Sequence, residues 1–508
     1  MALSDIINRV FKPNWRSPHN TILNGELDGV SQHVASQSTA SIDSYINDWR
    51  HNRNLIYAGE LLGAAVTNNF LSDPSVKEAA EYILTSPRAN RSEPLYDLAD
   101  SLLQGSAHKP TETKHNDNLP SLSDYSNTIR HKIHFQREQV RLAPYNAFRR
   151  MELARAYMYI GQRQKACREA SIAAYLAPDN RYVTRSAVRC FLHNVDYDKA
   201  HSILSANSAL KTDPWLLATD ISVDIIRGKS PRNAITASRV LRNGNFSPKS
   251  LTETAIALAT LETNNGGRIK SIRDYVRKAL VAPIDNSMAQ AQWLSRYNPA
   301  IILPQVDTTA IKFSFEIETY KAIGDNDYNS AFANALKWLR DSGYSHRAAV
   351  TASNIAATFL NNAKESIAIL EIALIANPQS PILLNNLAYQ LMMTDELERA
   401  QKEISKVNYS LNIPNDTLTC LKATNGLLKF RQGDYLSGEN FYNEAIEMAR
   451  HFHDYKHECI ARINLFREKG MSGIITKEEA IEGIKKIKST DKSVNQQIIN
   501  AINILSAK

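Results

Sequence analysis

Between residues 147 and 180 the chain reads AFRRMELARAYMYIGQRQKACREASIAAYLAPDN, and its small residues fall on a fixed frame. Counting from Ala147, Ala154 stands at position 8, Gly161 at 15, Ala166 at 20, Ala173 at 27 and Pro178 at 32, with Leu153, Tyr157 and Ala170 at 7, 11 and 24. Two antiparallel helices approach closely only where side chains are small. Ala154 and Ala166 therefore mark a crossing, and the residues around them fill the space beside it. Gly161 supplies the positive φ of a turn between the helices, and Pro178 ends the second helix because it cannot continue one.

The frame recurs. From Pro381 it places Leu384, Leu387, Ala388, Leu391, Ala400, Ile404 and Val407 at 4, 7, 8, 11, 20, 24 and 27. The preceding stretch from Arg347 carries Ser366, Leu370, Ala373 and Pro378 at 20, 24, 27 and 32, so two copies join without a spacer. A further copy has Gly426, Gly433, Gly438, Tyr442 and Ala445 at 8, 15, 20, 24 and 27. Weaker copies follow the first one, around Ala200, Ala234, RIKSIRDYVRKALVAP and NDYNSAFANALKWL. These positions resemble the tetratricopeptide repeat, a helix-turn-helix unit of 34 residues. The resemblance covers roughly residues 125 to 465 and implies an all-α, right-handed superhelical solenoid.

Around the repeats the reading is as follows. Residues 1–104 form an N-terminal helical domain or cap, and 105–124, polar and Pro-containing, form a flexible linker. Residues 125–283 and 312–470 form two half-solenoids of repeats, joined by a bend at 284–311 where Pro299 and Pro304 fall. Residues 471–508 form capping helices that shield the last repeat, opened by the capping-box pair Thr476 and Glu479.

The 508 residues are 43% apolar, enough for a large core, and contain only 18 Gly and 18 Pro. Cys167, Cys190, Cys420 and Cys459 are scattered, which argues for reduced thiols rather than a disulfide framework or zinc ribbon. The opening MALSDIINRVFKPNW has no leader pattern, and no stretch is long and apolar enough to span a bilayer, so a cytoplasmic protein is expected. The net charge of +8 is uneven: from Arg130 to Arg189 thirteen Lys/Arg face four acids. Such an excess speaks of partners rather than fold.

No phosphate loop, nucleophile elbow or HExxH is present, so neither catalytic nor cofactor residues are assigned and no enzyme is expected. Two weak candidates are set aside. In HFHDYKHEC, His453 and His457 lie four apart with His451, Asp454 and Cys459 near, but no complementary ligand set appears elsewhere. Arg340 to His346, RDSGYSH, has the spacing of a helical-ribonuclease motif but falls at an inter-helix turn.

The resemblance implies that positions 2, 5, 9, 12 and 13 of each first helix face a concave groove. In the first clear copies these include Phe148, Met151, Arg155 and Tyr159, then Tyr182, Arg185 and Arg189. In the copy from Pro381 they are Asn385, Tyr389, Met392 and Met393. Arginine forks pair with carboxylates or phosphates, and aromatic neighbours stack on side chains or bases. Family members that clamp a C-terminal carboxylate carry Lys at position 5, where Met151 stands here. The expectation is a non-enzymatic interaction scaffold or adaptor binding an extended, acidic peptide of a protein partner, with no cofactor or metal. The alternatives are nucleic-acid binding through residues 130–189, or a regulatory or sensor subunit of an enzyme complex.

Overall fold

In the computed structural model, residues 11–23, 39–68, 70–87, 94–104, 122–243, 246–410 and 413–507 are described. Among them there are helices and connecting turns but no strands. The expected linker at 105–124 lies outside the described residues except for its end, which opens the helix Leu122–Leu142. The chain divides into two compact units with the boundary between Ile317 and Glu318, the short stretch 122–125 grouping with the second.

In the first unit the repeat from Ala147 is a hairpin of helices Ala147–Tyr159 and Arg163–Leu176. It is followed by Arg181–His193 with Tyr197–Ser205, Pro214–Ile226 with Ala234–Arg242, and Pro248–Asn264 with Ile269–Ala279. Each helix packs on its hairpin partner and on the next hairpin, as stacked repeats must to bury a face that one hairpin leaves open. Ala154, Ala166, Ala187 and Ala200 are fully buried at the crossings. Asparagine and aspartate fix the helix starts: Asn146, Asn180 and Asp213 accept backbone N–H groups of the first turn.

Each hairpin turn needs one left-handed residue. Gly161 (φ 67°) and Gly433 (φ 82°) meet that need without strain, whereas Val195 (φ 64°) meets it as a β-branched residue. The stretch read as a bend at 284–311 is helical over Asp285–Tyr297 and irregular beyond it apart from the short 3-10 turn Thr308–Ala310. Proline restricts the chain at 299 and 304, but the residues before them satisfy a helical pattern and fold accordingly. Ahead of the repeats, Thr39–His51, Leu55–Asn68, Pro74–Thr85 and Pro94–Gln104 pack each on the next, and Leu55–Asn68 lies against Ala147–Tyr159.

The second unit contains Tyr328–Asp341, His346–Asn354 paired with Ala363–Ala376, Pro381–Met393 with Leu397–Ile404, and Asn415–Arg431 with Tyr435–His451. The last pair shows why the frame carries glycine at both 8 and 20. A Cβ on Gly438 would sit 2.6 Å from Phe430 Cδ2, and one on Gly426 would sit 2.9 Å from Tyr442 Cδ2. Tyr455–Met471 follows, and then Lys477–Lys485 and Lys492–Ser506 close the stack. Thr476 and Glu479 form the expected capping box. Ile463, Ala480, Ile484, Val494 and Leu505 make the terminal core that shields the last hairpin. The terminal helix also reaches back across its unit. Lys492 Nζ donates to Gly324 O at 2.7 Å, and Asn500 Nδ2 to Thr358 O at 2.9 Å. No described helix is long and apolar enough to cross a membrane.

Candidate functional site

The arginine-rich copies of the first unit hold their charges inside. Arg155 is buried and donates to Glu152 at 2.8 Å. Burial opposes its charge, but Glu152 outweighs that effect and holds the guanidinium protonated above its ordinary range. Arg185 pairs with the fully buried Glu253 at 2.5 Å, and Arg181 with Asp213 at 2.6 Å. Arg189 is half-buried, Tyr159 is buried, and Phe148 packs on the buried Tyr182 with ring centroids 5.3 Å apart. The expectation that Arg155 and Arg185 are offered to an acidic partner therefore meets a different arrangement. Both side chains serve acids of the same unit, because a buried charge without a counter-charge costs several kcal/mol, on the order of 3–5.

A segment of the same chain lies over this face. Residues 11–17 form neither helix nor strand, with Phe11, Trp15 and Arg16 buried. Asn286 Nδ2 donates to Lys12 O at 2.9 Å, and Tyr182 OH to Arg16 O at 3.0 Å. Arg16 forks onto Asp285 at 2.7 and 3.2 Å and lies 4.8 Å from the centroid of the Phe313 ring. Asn286 also donates to Glu253 at 2.8 Å, so the Arg185 pair and the segment share one network. The sequence reading missed this. The segment carries no repeat pattern, and its partners lie far along the chain, with Tyr182 166 residues and Asp285 269 residues from Arg16.

The second unit differs. Asn385 and Tyr389 lie on one cavity together with Ser366, Asn386, Cys420, Tyr442, His457 and Asn464. Met392 is buried in the packing of its helix and does not line that cavity, whereas Met393 is half-buried. Four buried polar atoms on the cavity wall find no hydrogen-bond partner among the described residues: Ser366 Oγ, Asn385 Oδ1, Asn386 Nδ2 and Tyr442 OH. Asn385 Nδ2 donates to Asn386 Oδ1 at 3.2 Å, which leaves one amide acceptor and one amide donor side by side. Flipping both amides leaves the same two functions. Tyr389 is half-buried and its OH accepts from Arg467 Nη1 at 3.2 Å.

A π-turn, Ile355–Phe359, continues the helix His346–Asn354 and brings Ser353, Asn354 and Thr358 to the same wall. Such turns widen a helix and recur at functional sites. Thr358 Oγ1 donates to Asn354 Oδ1 at 2.9 Å, which ties the turn to itself. Asn386 stands at position 6 of its copy and was not singled out from the sequence. Its proximity to position 5 was the available signal.

The two candidates set aside from sequence stay in structural surroundings. Arg340 to His346 spans the turn between Tyr328–Asp341 and His346–Asn354. Among the described residues there is no group of three or more His, Cys, Asp or Glu placed to hold a metal. His457 instead hydrogen-bonds Asp454, with Nδ1 and Oδ2 2.5 Å apart, and His453 is the left-handed residue of a turn (φ 55°).

No protein-family model matches the chain, and no curated protein does. Solved structures do. Yeast Tom70 is 12% identical, covering 96% of this chain and 93% of its own, with a TM-score of 0.31. A human IFIT1 dimer with PPP-AAAA is 12% identical over 94% of this chain and 96% of its own, with a TM-score of 0.32. A tetratricopeptide repeat protein from Parabacteroides merdae is 17% identical over 59% of this chain and 96% of its own, with a TM-score of 0.25. At scores this low the fold is read from the chain's own hairpins. The chain is a tetratricopeptide-like helical-repeat protein on its 34-residue frame and its stacked helix pairs.

Proposed function

We propose that the chain is an interaction scaffold whose second unit takes an extended peptide segment of a protein partner. The supporting observation is the unpaired amide acceptor and donor of Asn385 and Asn386 on the cavity wall. A peptide group carries one N–H and one C=O, so an extended backbone satisfies both amides at once, whatever its side chains. A buried polar atom left unmade costs about 1–3 kcal/mol, and a ligand that completes it recovers that amount on binding. The fixed helices hold these groups in place beforehand, so the ordering cost falls on the peptide. The preference for an acidic segment, expected from Arg155, Arg185 and Arg189, is weakened by the internal pairing of the first two.

The test is selection from a random peptide display library against the full chain, followed by titration of the best peptide. Replacing Asn385 and Asn386 together by Leu is expected to weaken that peptide more than tenfold with an unchanged helical circular-dichroism signal. Equal affinity for the variant, or a library that yields no binder, overturns the proposal.

A further inference from the structure

The wall of the second-unit cavity also carries a thiol with an imidazole and a carboxylate behind it. Cys420, on the helix Asn415–Arg431, and His457, on Tyr455–Met471, both line the cavity, and these two helices pack together. Asp454 is the N-cap of the second of them. Its Oδ1 accepts the His457 backbone N–H at 3.1 Å, and its Oδ2 lies 2.5 Å from His457 Nδ1. The ring is thus fixed in position and orientation on the cavity wall that it shares with the Cys420 thiol. With Nδ1 engaged by Asp454, Nε2 is the nitrogen left for sulfur. Cys420 is part-exposed, whereas Cys459 two residues beyond His457 is buried in the terminal core.

A thiol alone is inert; a thiol beside an imidazole that a carboxylate orients has the parts of an activated nucleophile. The surroundings agree. Burial works against a Cys420 thiolate, but the charge and hydrogen bond of His457 outweigh it and hold the thiol below its ordinary range. Burial likewise works against the His457 cation, yet Cys420 and Asp454 favour it, and its pKa stands at about 9. Among the described residues, the other charges near the pair are Asp416 on the thiol's own helix, which opposes the thiolate, and Lys456, which feels Cys420 and pairs with Asp491 at 3.5 Å. The unpaired atoms of Asn385, Asn386 and Tyr442 on the same wall are a separate sign that small polar molecules have a place there.

We propose that Cys420 is a covalent modification site, a thiol that His457 and Asp454 hold ready to react with a hydroperoxide entering the second-unit cavity. The thiolate sulfur attacks the terminal oxygen of the hydroperoxide, the S–O bond forms as the O–O bond breaks, and sulfur loses two electrons to the peroxide. The departing alkoxide or hydroxide takes the proton of the His457 cation and leaves as an alcohol or water. Cys420 is then a sulfenic acid, which an external thiol can reduce. The proposal does not rest on the peptide reading, since its test uses the chain with no peptide added.

The test uses the full chain. Labelling with iodoacetamide, followed by mass spectrometry resolved by peptide, measures the rate at Cys420 at pH 6.5 and 8.5. Hydrogen peroxide with dimedone then traps the sulfenic acid. An ordinary thiol slows about 50-fold between pH 8.5 and 6.5, as its thiolate fraction falls. Cys420 is expected to slow less than about fivefold and to trap dimedone, while Cys459 stays unlabelled. His457→Gln is expected to restore the full 50-fold fall. A Cys420 that follows the ordinary profile, resists peroxide, or keeps its reactivity in His457→Gln overturns the proposal. The unsubstituted chain alone gives the first two readings, so a variant that fails to fold leaves the test intact.

Discussion

The two units answer the same problem in opposite ways. In the first, arginines concentrated by the sequence are matched with acids of the unit, and a non-helical segment of the chain itself, residues 11–17, covers the face they line. In the second, a wall rich in asparagine and tyrosine keeps buried polar atoms without partners among the described residues. The dense positive charge is thereby part of the scaffold, and the asparagine wall is where unpaired amides line a cavity. Charge in a sequence marks a binding surface only if the fold leaves it unmatched.

The sharpest way to break this contrast is to remove one partner of the Arg185–Glu253 pair. Arg185→Ala is expected to destabilise the first unit by about 3–5 kcal/mol, because Glu253 is left buried and uncompensated. Hydrogen exchange resolved by peptide should show the loss in helices Arg181–His193 and Pro248–Asn264, and a loss below about 1 kcal/mol would show that the pair is not structural. The opposite sign is expected in the second unit. Replacing Asn385 and Asn386 by Leu should raise its stability by about 1–2 kcal/mol in the same measurement, since unpaired buried amides leave with the substitution. A stability that falls instead would mean the amides hold the fold rather than await a ligand.

The third comparison is with pH. The His457 pKa of about 9 lies above its ordinary 6.5, so its contribution is complete below about pH 6.5 and disappears as pH rises through 9. The second unit should therefore soften between these values, and His457→Gln should flatten that slope; a slope that persists in the variant would assign it to other groups. The smallest effect is expected on the helix Leu122–Leu142, where Arg137 and Arg141 are exposed. Charge reversal of both should alter stability by no more than about 0.5 kcal/mol. Filter binding of a short RNA at low salt, with and without that reversal, decides for or against the nucleic-acid alternative.

Much of the fold was legible in the chain. Ala154, Ala166, Ala388 and Ala400 are fully buried where their spacing places helix crossings, and Gly161 and Gly433 turn where the frame asks for positive φ. Asn385 and Tyr389 were legible as residues that helix packing does not use. Met392 was not distinguishable from them, because the frame gives the face of a helix but not how deep a neighbour packs. Asn386 had only its place beside position 5 as a signal, and Cys420 had none, since a lone cysteine says nothing until its surroundings are known.

The sequence by itself determined the hairpin, its small residues, its turns and its helix starts, because each of these rests on interactions within about one repeat length. Only the tertiary structure decided which charges would be neutral in company. Glu253 reaches Arg185 across 68 residues, the segment 11–17 reaches Asp285, and the terminal helix reaches Thr358 across 142. Periodicity specifies which side of a helix is covered but not by what. That choice is made when distant segments compete for the same face, and it left Asn385, Asn386 and Cys420 facing a cavity rather than one another's partners.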